Sequence, residues 1–155
     1  MSRGNCGVPD VAPQYKPLRR DSVKYIIVHL SGSEGEAGHN AQEIDREHRK
    51  RGLLSLGYHF IIRRDGTVEP GRSLDVPGVH TRSYNQLSLG VCVIGAATEH
   101  PTVQQHAAMA NLVRELELNY PGAEVVGHRD LNPKVNCPPF DVKEWLAEKF
   151  PRSST

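Results

Sequence analysis

The 155-residue chain has little of what usually betrays a specialised protein. Its three cysteines, Cys6, Cys92 and Cys137, are too few for a disulfide framework. No apolar run approaches the ~20 residues needed to span a bilayer, so no membrane association is expected. Charge of one sign is lacking too. Nineteen Lys and Arg face 18 Asp and Glu, a formal charge of +1 that gives no electrostatic case for nucleic acid. Basic residues do gather at 46–51 and 63–64, but acidic residues lie among or beside them, as on a solvated face. The opening stretch, MSRGNCGVPDVAPQYKPLRR, has no apolar core of the kind a secretory signal needs. The expectation is a protein made and kept in a cytosol unless something else releases it.

What is present is the composition of a soluble globular domain, 37% hydrophobic and 24% charged, in a chain long enough for one real core. Residues 1–21, with three prolines and two glycines, read as an extended arm. VKYIIVHLS (23–31) and SLGVCVIGA (88–96) read as buried strands, and AEVVGH (123–128) as a short one. In GYHFIIRRDGTVEPGR (57–72) two strand-like runs flank Asp65-Gly66, a dipeptide suited to a tight hairpin. Helices are expected over 40–52, capped by Asn40, and after Pro101, where Thr102 and Gln105 form a capping box. In this second helix Val103, Ala107, Ala110, Leu112 or Val113, and Leu116 make an apolar stripe at helical spacing. A last helix covers 140–150, capped by Asp141, and a tail follows at 151–155. The prediction is a single α/β domain over 22–150, with a central mixed β-sheet flanked by three helices.

The segment VVGHRDLNPKVNCPPFD (125–141) raises the functional question. It places His128, Lys134 and Cys137 among three prolines, too many for a helix or strand. His29 stands at the end of the YIIV strand and His128 at the end of EVVG, and strand ends beside loops are where open α/β sheets place sites. Neighbouring strands would bring both rings to one cleft, and a loop reversed by Asn132-Pro133 and Pro138-Pro139 would return Cys137 to them. A catalytic zinc takes three such protein ligands and leaves a fourth position open. From chemistry alone, a metal site and three structural residues stay equally open. Of the other histidines, His59 alternates with Tyr58 along a strand and faces away from it, whereas His80 sits in a polar loop, PGVHTRSYN, suited to touching a substrate. Cys92 reads as a small buried hydrophobe.

Four stretches taken together, VHLS (28–31), GYHFIIRRDGTVEPGR (57–72), GVHTRSYNQLSLGVCVIG (78–95) and GHRDLNPKVNCPPFD (127–141), resemble the type-two N-acetylmuramoyl-L-alanine amidases. The likeness is greatest to the small phage lysozyme-type amidases, the endolysins, and the fold is shared with peptidoglycan recognition proteins. It runs in order over roughly residues 22 to 149. The resemblance implies a zinc enzyme that hydrolyses the amide between the lactyl group of N-acetylmuramic acid and L-alanine in peptidoglycan. It implies His29, His128 and Cys137 as zinc ligands, Tyr58 and Lys134 as catalytic residues, and His80 as a substrate contact. Lys134 lies three residues before Cys137, one more than in the best-known phage pattern.

Such an enzyme would be a monomer made in the cytoplasm of an infected cell and acting on the wall after release. Three rival readings stand beside it. A non-catalytic recognition module typically lacks the cysteine ligand that Cys137 would supply. A cytosolic amidase recycling muropeptides usually has aspartate there. An added contact with a phage RNA polymerase, as in at least one relative, leaves no mark in this sequence.

Overall fold

The computed structural model describes residues 22–32, 57–96 and 98–148. The arm at 1–21, the helix expected over 40–52 and the tail at 151–155 lie outside the described residues.

Five strands form one sheet: β1 (Tyr25–Leu30), β2 (Phe60–Ile62), β3 (Val68–Pro70), β4 (Ser88–Val93) and β5 (Glu124–Gly127), in the order β3-β2-β4-β1-β5. β1 lies parallel to both β4 and β5, β2 lies parallel to β4, and only the β2–β3 hairpin is antiparallel. A central parallel strand is covered on both faces and therefore reads as an unbroken apolar run. In β1, Ile26, Ile27 and Val28 are all fully buried. The hairpin turns where the sequence expects it, with Gly66 at φ +91° and its N–H donating to the Arg63 carbonyl at 2.8 Å.

Helix α1 (Val103–Asn119) begins with the expected capping box. Thr102 Oγ1 accepts from the Gln105 N–H at 3.0 Å, and Gln105 Oε1 accepts from the Thr102 N–H at 3.0 Å. Its inward face differs from the expected stripe. The buried residues are Gln105, His106, Met109, Leu112 and Leu116, while Val103 is 45% exposed and Ala107 faces solvent. The physical reason is Gln105. Its Nε2 donates to the carbonyls of Ile62 and Ile94 at 3.1 and 2.8 Å, and Oε1 also accepts from Arg64 at 3.3 Å. With every polar atom paired, an amide is as much at home inside as an apolar chain. A pattern of apolar residues cannot register that.

A single helical turn, α2 (His128–Leu131), follows β5, so the proline-rich segment is helical before its first proline, contrary to expectation. Helix α3 (Val142–Ala147) is capped by Asp141, whose carboxylate accepts from the Glu144 N–H at 2.9 Å. It sends Val142 and Trp145 into the core, and His106 Nε2 donates to the Trp145 carbonyl at 2.8 Å.

The two faces of the sheet have separate tasks. Ile26 and Val28 of β1 and Leu89, Val91 and Val93 of β4 pack against Met109, Leu112, Leu116, Val142 and Trp145 of the helices. Each such side chain contributes roughly 1.5–3 kcal/mol by leaving water. The alternate residues, Ile61, Cys92 and Ile94, form a second cluster with Tyr58. His29 is in register with Cys92, and Cys92 with Ile61, so His29 belongs to this second face, away from α1 and α3.

Candidate metal centre

The parallel pairing of β1 and β5 sets Val28 opposite Gly127. The residue after each is a histidine, His29 still in β1 and His128 opening α2, and their ring centroids lie 4.8 Å apart. Two further contacts return the loop after α2 to the strand ends. The Arg129 N–H donates to the Cys137 carbonyl at 2.8 Å, and Asp130 Oδ2 accepts from the Gly127 N–H at 2.8 Å. Asp130 thus ties the backbone at the start of α2, and among the described residues it forms no ion pair with Arg129. Cys137 Sγ lies 3.4 Å from the Leu30 backbone nitrogen and 3.9 Å from His29 Nδ1.

One ligand atom each from His29, His128 and Cys137 falls within 4.8 Å of the others, the only such group of three among the described residues. Burial holds the His29 imidazole well below its ordinary range, with His80 and His128 beside it adding to the effect. Burial lowers His128 as well. Both rings are therefore neutral near pH 7 and keep a lone pair for a metal. Burial pushes the Cys137 thiol up, and the Leu30 N–H works against that. Two imidazoles and a thiol form a donor set that suits zinc, and three protein ligands leave a tetrahedral position open.

The other expected residues fall at different distances from this cluster. Tyr58 lies against it, its ring 5.2 Å from that of His29. His80 is also adjacent, 5.0 Å from His29 between ring centroids, and burial pushes its imidazole down to about 3. Both of its nitrogens face protein groups: Nδ1 lies near His29 and Thr81, and Nε2 near Ser88. Lys134 shares the Cys137 loop but is exposed, and its backbone N–H donates to Asn132 Oδ1 at 3.1 Å. Among the described residues no hydrogen bond or ion pair holds its ammonium. His59 is structural, as its alternation with Tyr58 suggests: Nδ1 accepts from the Gly90 N–H at 3.1 Å and Nε2 donates to the Val76 carbonyl at 2.8 Å. Cys92 is fully buried, which raises its thiol far above the ordinary value. Sequence reasoning missed Thr81, Asn85 and Ser88. The signal was a polar cluster beside glycines at the entry to an otherwise apolar strand.

The mixed sheet of this α/β domain brings two imidazoles and a thiol together at adjacent strand ends, an arrangement suited to holding a metal ion. The family model for N-acetylmuramoyl-L-alanine amidase matches residues 19–139, and the chain belongs to this family of enzymes. It is 42% identical over 133 residues to the endolysin of Klebsiella phage KP32, covering 82% of this chain and 87% of that protein. Among solved structures it is similar to the N-acetylmuramoyl-L-alanine amidase LysC from Clostridium intestinale (TM-score 0.73, 28% identity, 87% of this chain and 93% of that one). It is also similar to Drosophila PGRP-LB (TM-score 0.71, 28% identity, 79% of this chain and 78% of that one).

Proposed function

We propose that the chain is a zinc-dependent endolysin that cuts the lactyl amide joining N-acetylmuramic acid to L-alanine in peptidoglycan. The observation that carries this reading is the convergence of His29, His128 and Cys137 in a member of the amidase family. These three residues would hold the zinc. When bound, zinc supplies a Lewis acid and makes water nucleophilic near neutral pH.

The remaining roles belong to the chain. The strand register holds His29 and His128 side by side, and the Leu30 N–H steadies the sulfur of Cys137. Tyr58, whose ring lies beside His29 and whose hydroxyl bonds the Cys92 thiol, would offer that hydroxyl to the negative charge that develops on the scissile carbonyl oxygen. Lys134 offers a cation from the loop that carries Cys137. One such donor is worth roughly 3 kcal/mol in the transition state. The reading includes synthesis in an infected cell and release to the wall, in keeping with the phage endolysins among its relatives.

The test is digestion of purified Gram-negative-type peptidoglycan with mass spectrometry of the products. Free stem peptides beginning in L-alanine, beside glycan with intact glycosidic bonds, are expected. Cleavage of soluble muropeptides alone would replace this reading with recycling, and binding without cleavage would replace it with recognition.

A further inference from the structure

A histidine ligand has two ring nitrogens, and only the one without a proton can hold a metal. His29 presents Nδ1 to Cys137. Its Nε2 points the opposite way, 3.0 Å from His80 Nδ1 and 3.2 Å from Thr81 Oγ1. Proton accounting around that second nitrogen gives one consistent answer. Ser88 Oγ donates its only hydrogen to the Tyr84 carbonyl at 2.8 Å. Toward His80 Nε2, 3.4 Å away, Ser88 can therefore only accept. A neutral His80 then carries its proton on Nε2 and has a lone pair on Nδ1. With the Thr81 hydroxyl hydrogen directed at that lone pair at 2.8 Å, neither group that faces His29 Nε2, His80 Nδ1 at 3.0 Å or Thr81 Oγ1 at 3.2 Å, has a hydrogen to offer it, so Nε2 carries its own proton and donates. The opposite tautomer of His29 would require His80 to donate from Nδ1, and two acceptors, His80 Nε2 and Ser88 Oγ, would then face each other.

The turn that supplies these groups is built for its position. Asn85 Oδ1 accepts from the backbone N–H groups of both His80 and Thr81, at 3.0 and 2.9 Å. Ser83 takes a left-handed φ of +74° to close the turn. A Cβ on Gly78 or on Gly90 would come within 2.5 or 2.6 Å of the His80 ring, so only glycine leaves the imidazole its place. Thr81 is 2% exposed, and its hydroxyl contacts only the two imidazoles among the described residues.

We infer that His80 and Ser88 are positioning residues that lock His29 with its proton on Nε2, and so reserve Nδ1 for the metal. The role in metal binding rests on the zinc reading proposed above; the tautomer itself does not. Groups of this kind behind a ligating histidine typically change metal affinity by roughly ten- to a hundredfold when removed.

The experiment uses the full chain labelled with ¹⁵N at histidine and stripped of metal. The ring-nitrogen shifts of His29 report which nitrogen is protonated, and competition with a chromophoric chelator reports zinc affinity. The wild type should show protonated Nε2. Ser88→Ala removes the acceptor that fixes the His80 proton on Nε2, and should give mixed tautomers at His29 and zinc binding weaker by about tenfold or more. Thr81→Val leaves the His80 Nδ1 lone pair in place to accept from His29 and should keep the tautomer. Protonated Nδ1 in the wild type overturns the inference without any variant, as does a folded Ser88→Ala with unchanged tautomer and zinc affinity. A wild type with the expected tautomer, shifted by Ser88→Ala, that takes up no zinc supports the positioning and overturns the zinc function instead.

Discussion

Two histidines whose ring centroids lie 6.1 Å apart, His59 and His80, have different duties. His80 faces the cluster of His29, His128 and Cys137, whereas His59 bonds the Val76 carbonyl and the Gly90 N–H and joins the hairpin to β4. That arrangement needs a neutral ring at His59, since Nδ1 accepts. Burial lowers its pKa, and the Arg72 cation adds to this while the Val76 carbonyl opposes it. The sign of the consequence follows. Above the unfolded value near 6.5 neither state of the ring is charged, and stability does not change with pH. Below it the unfolded chain takes up a proton that the native ring refuses. Stability therefore falls as pH drops toward the folded pKa, by at most about 1.4 kcal/mol per pH unit for this group. Urea midpoints of the wild type and His59→Gln, compared at pH of about 7.5 and 5.5, should show the larger acid loss in the wild type; equal losses would contradict the assignment. His29, His128 and Cys137 were legible as residues because their types limit their uses, and Tyr58 because of its motif. Thr81 and Ser88 were not, because a hydroxyl acquires meaning only from what it faces.

Gln105 joins elements that the sequence presents as separate. Its side chain ties the C-terminal ends of β2 and β4, through the Ile62 and Ile94 carbonyls, to the first turn of α1. Replacing it with leucine keeps the volume but leaves the buried Ile94 carbonyl unpaired, at about 1–3 kcal/mol, while the Ile62 carbonyl keeps the Ile94 N–H at 3.0 Å. Gln105→Leu is expected to lower the urea midpoint by an amount worth about 2 kcal/mol, with an unchanged slope. A loss under about 0.5 kcal/mol would show that the amide is not the staple. The hairpin at Asp65-Gly66, the capping boxes and the buried runs of β1 and β4 were readable because local chemistry fixes them. The inward face of α1 was misjudged because tertiary hydrogen bonds, not apolar spacing, put Gln105 inside. The helical turn at 128–131 was missed because the prolines that interrupt regular structure come only after it.

At the scale of the molecule, the sheet order turns three distant residues into one site. Nothing in the spacing of 29, 128 and 137 announces a site; the neighbouring of β1 and β5 brings the two histidines together, and the loop returns Cys137 to them. The family resemblance in the sequence anticipated the class of enzyme, and the register supplies the physical reason those residues meet. The central claim is that this cluster holds the zinc on which cleavage depends. Its most direct test strips metal from the purified chain and from Cys137→Ser, adds zinc back, and counts new L-alanine amino termini released from purified peptidoglycan. The account predicts that stripping abolishes release, that zinc restores it in the wild type, and that Cys137→Ser recovers little and holds zinc poorly. Full activity in the stripped wild type, or a Cys137→Ser protein as active as the wild type, would contradict it.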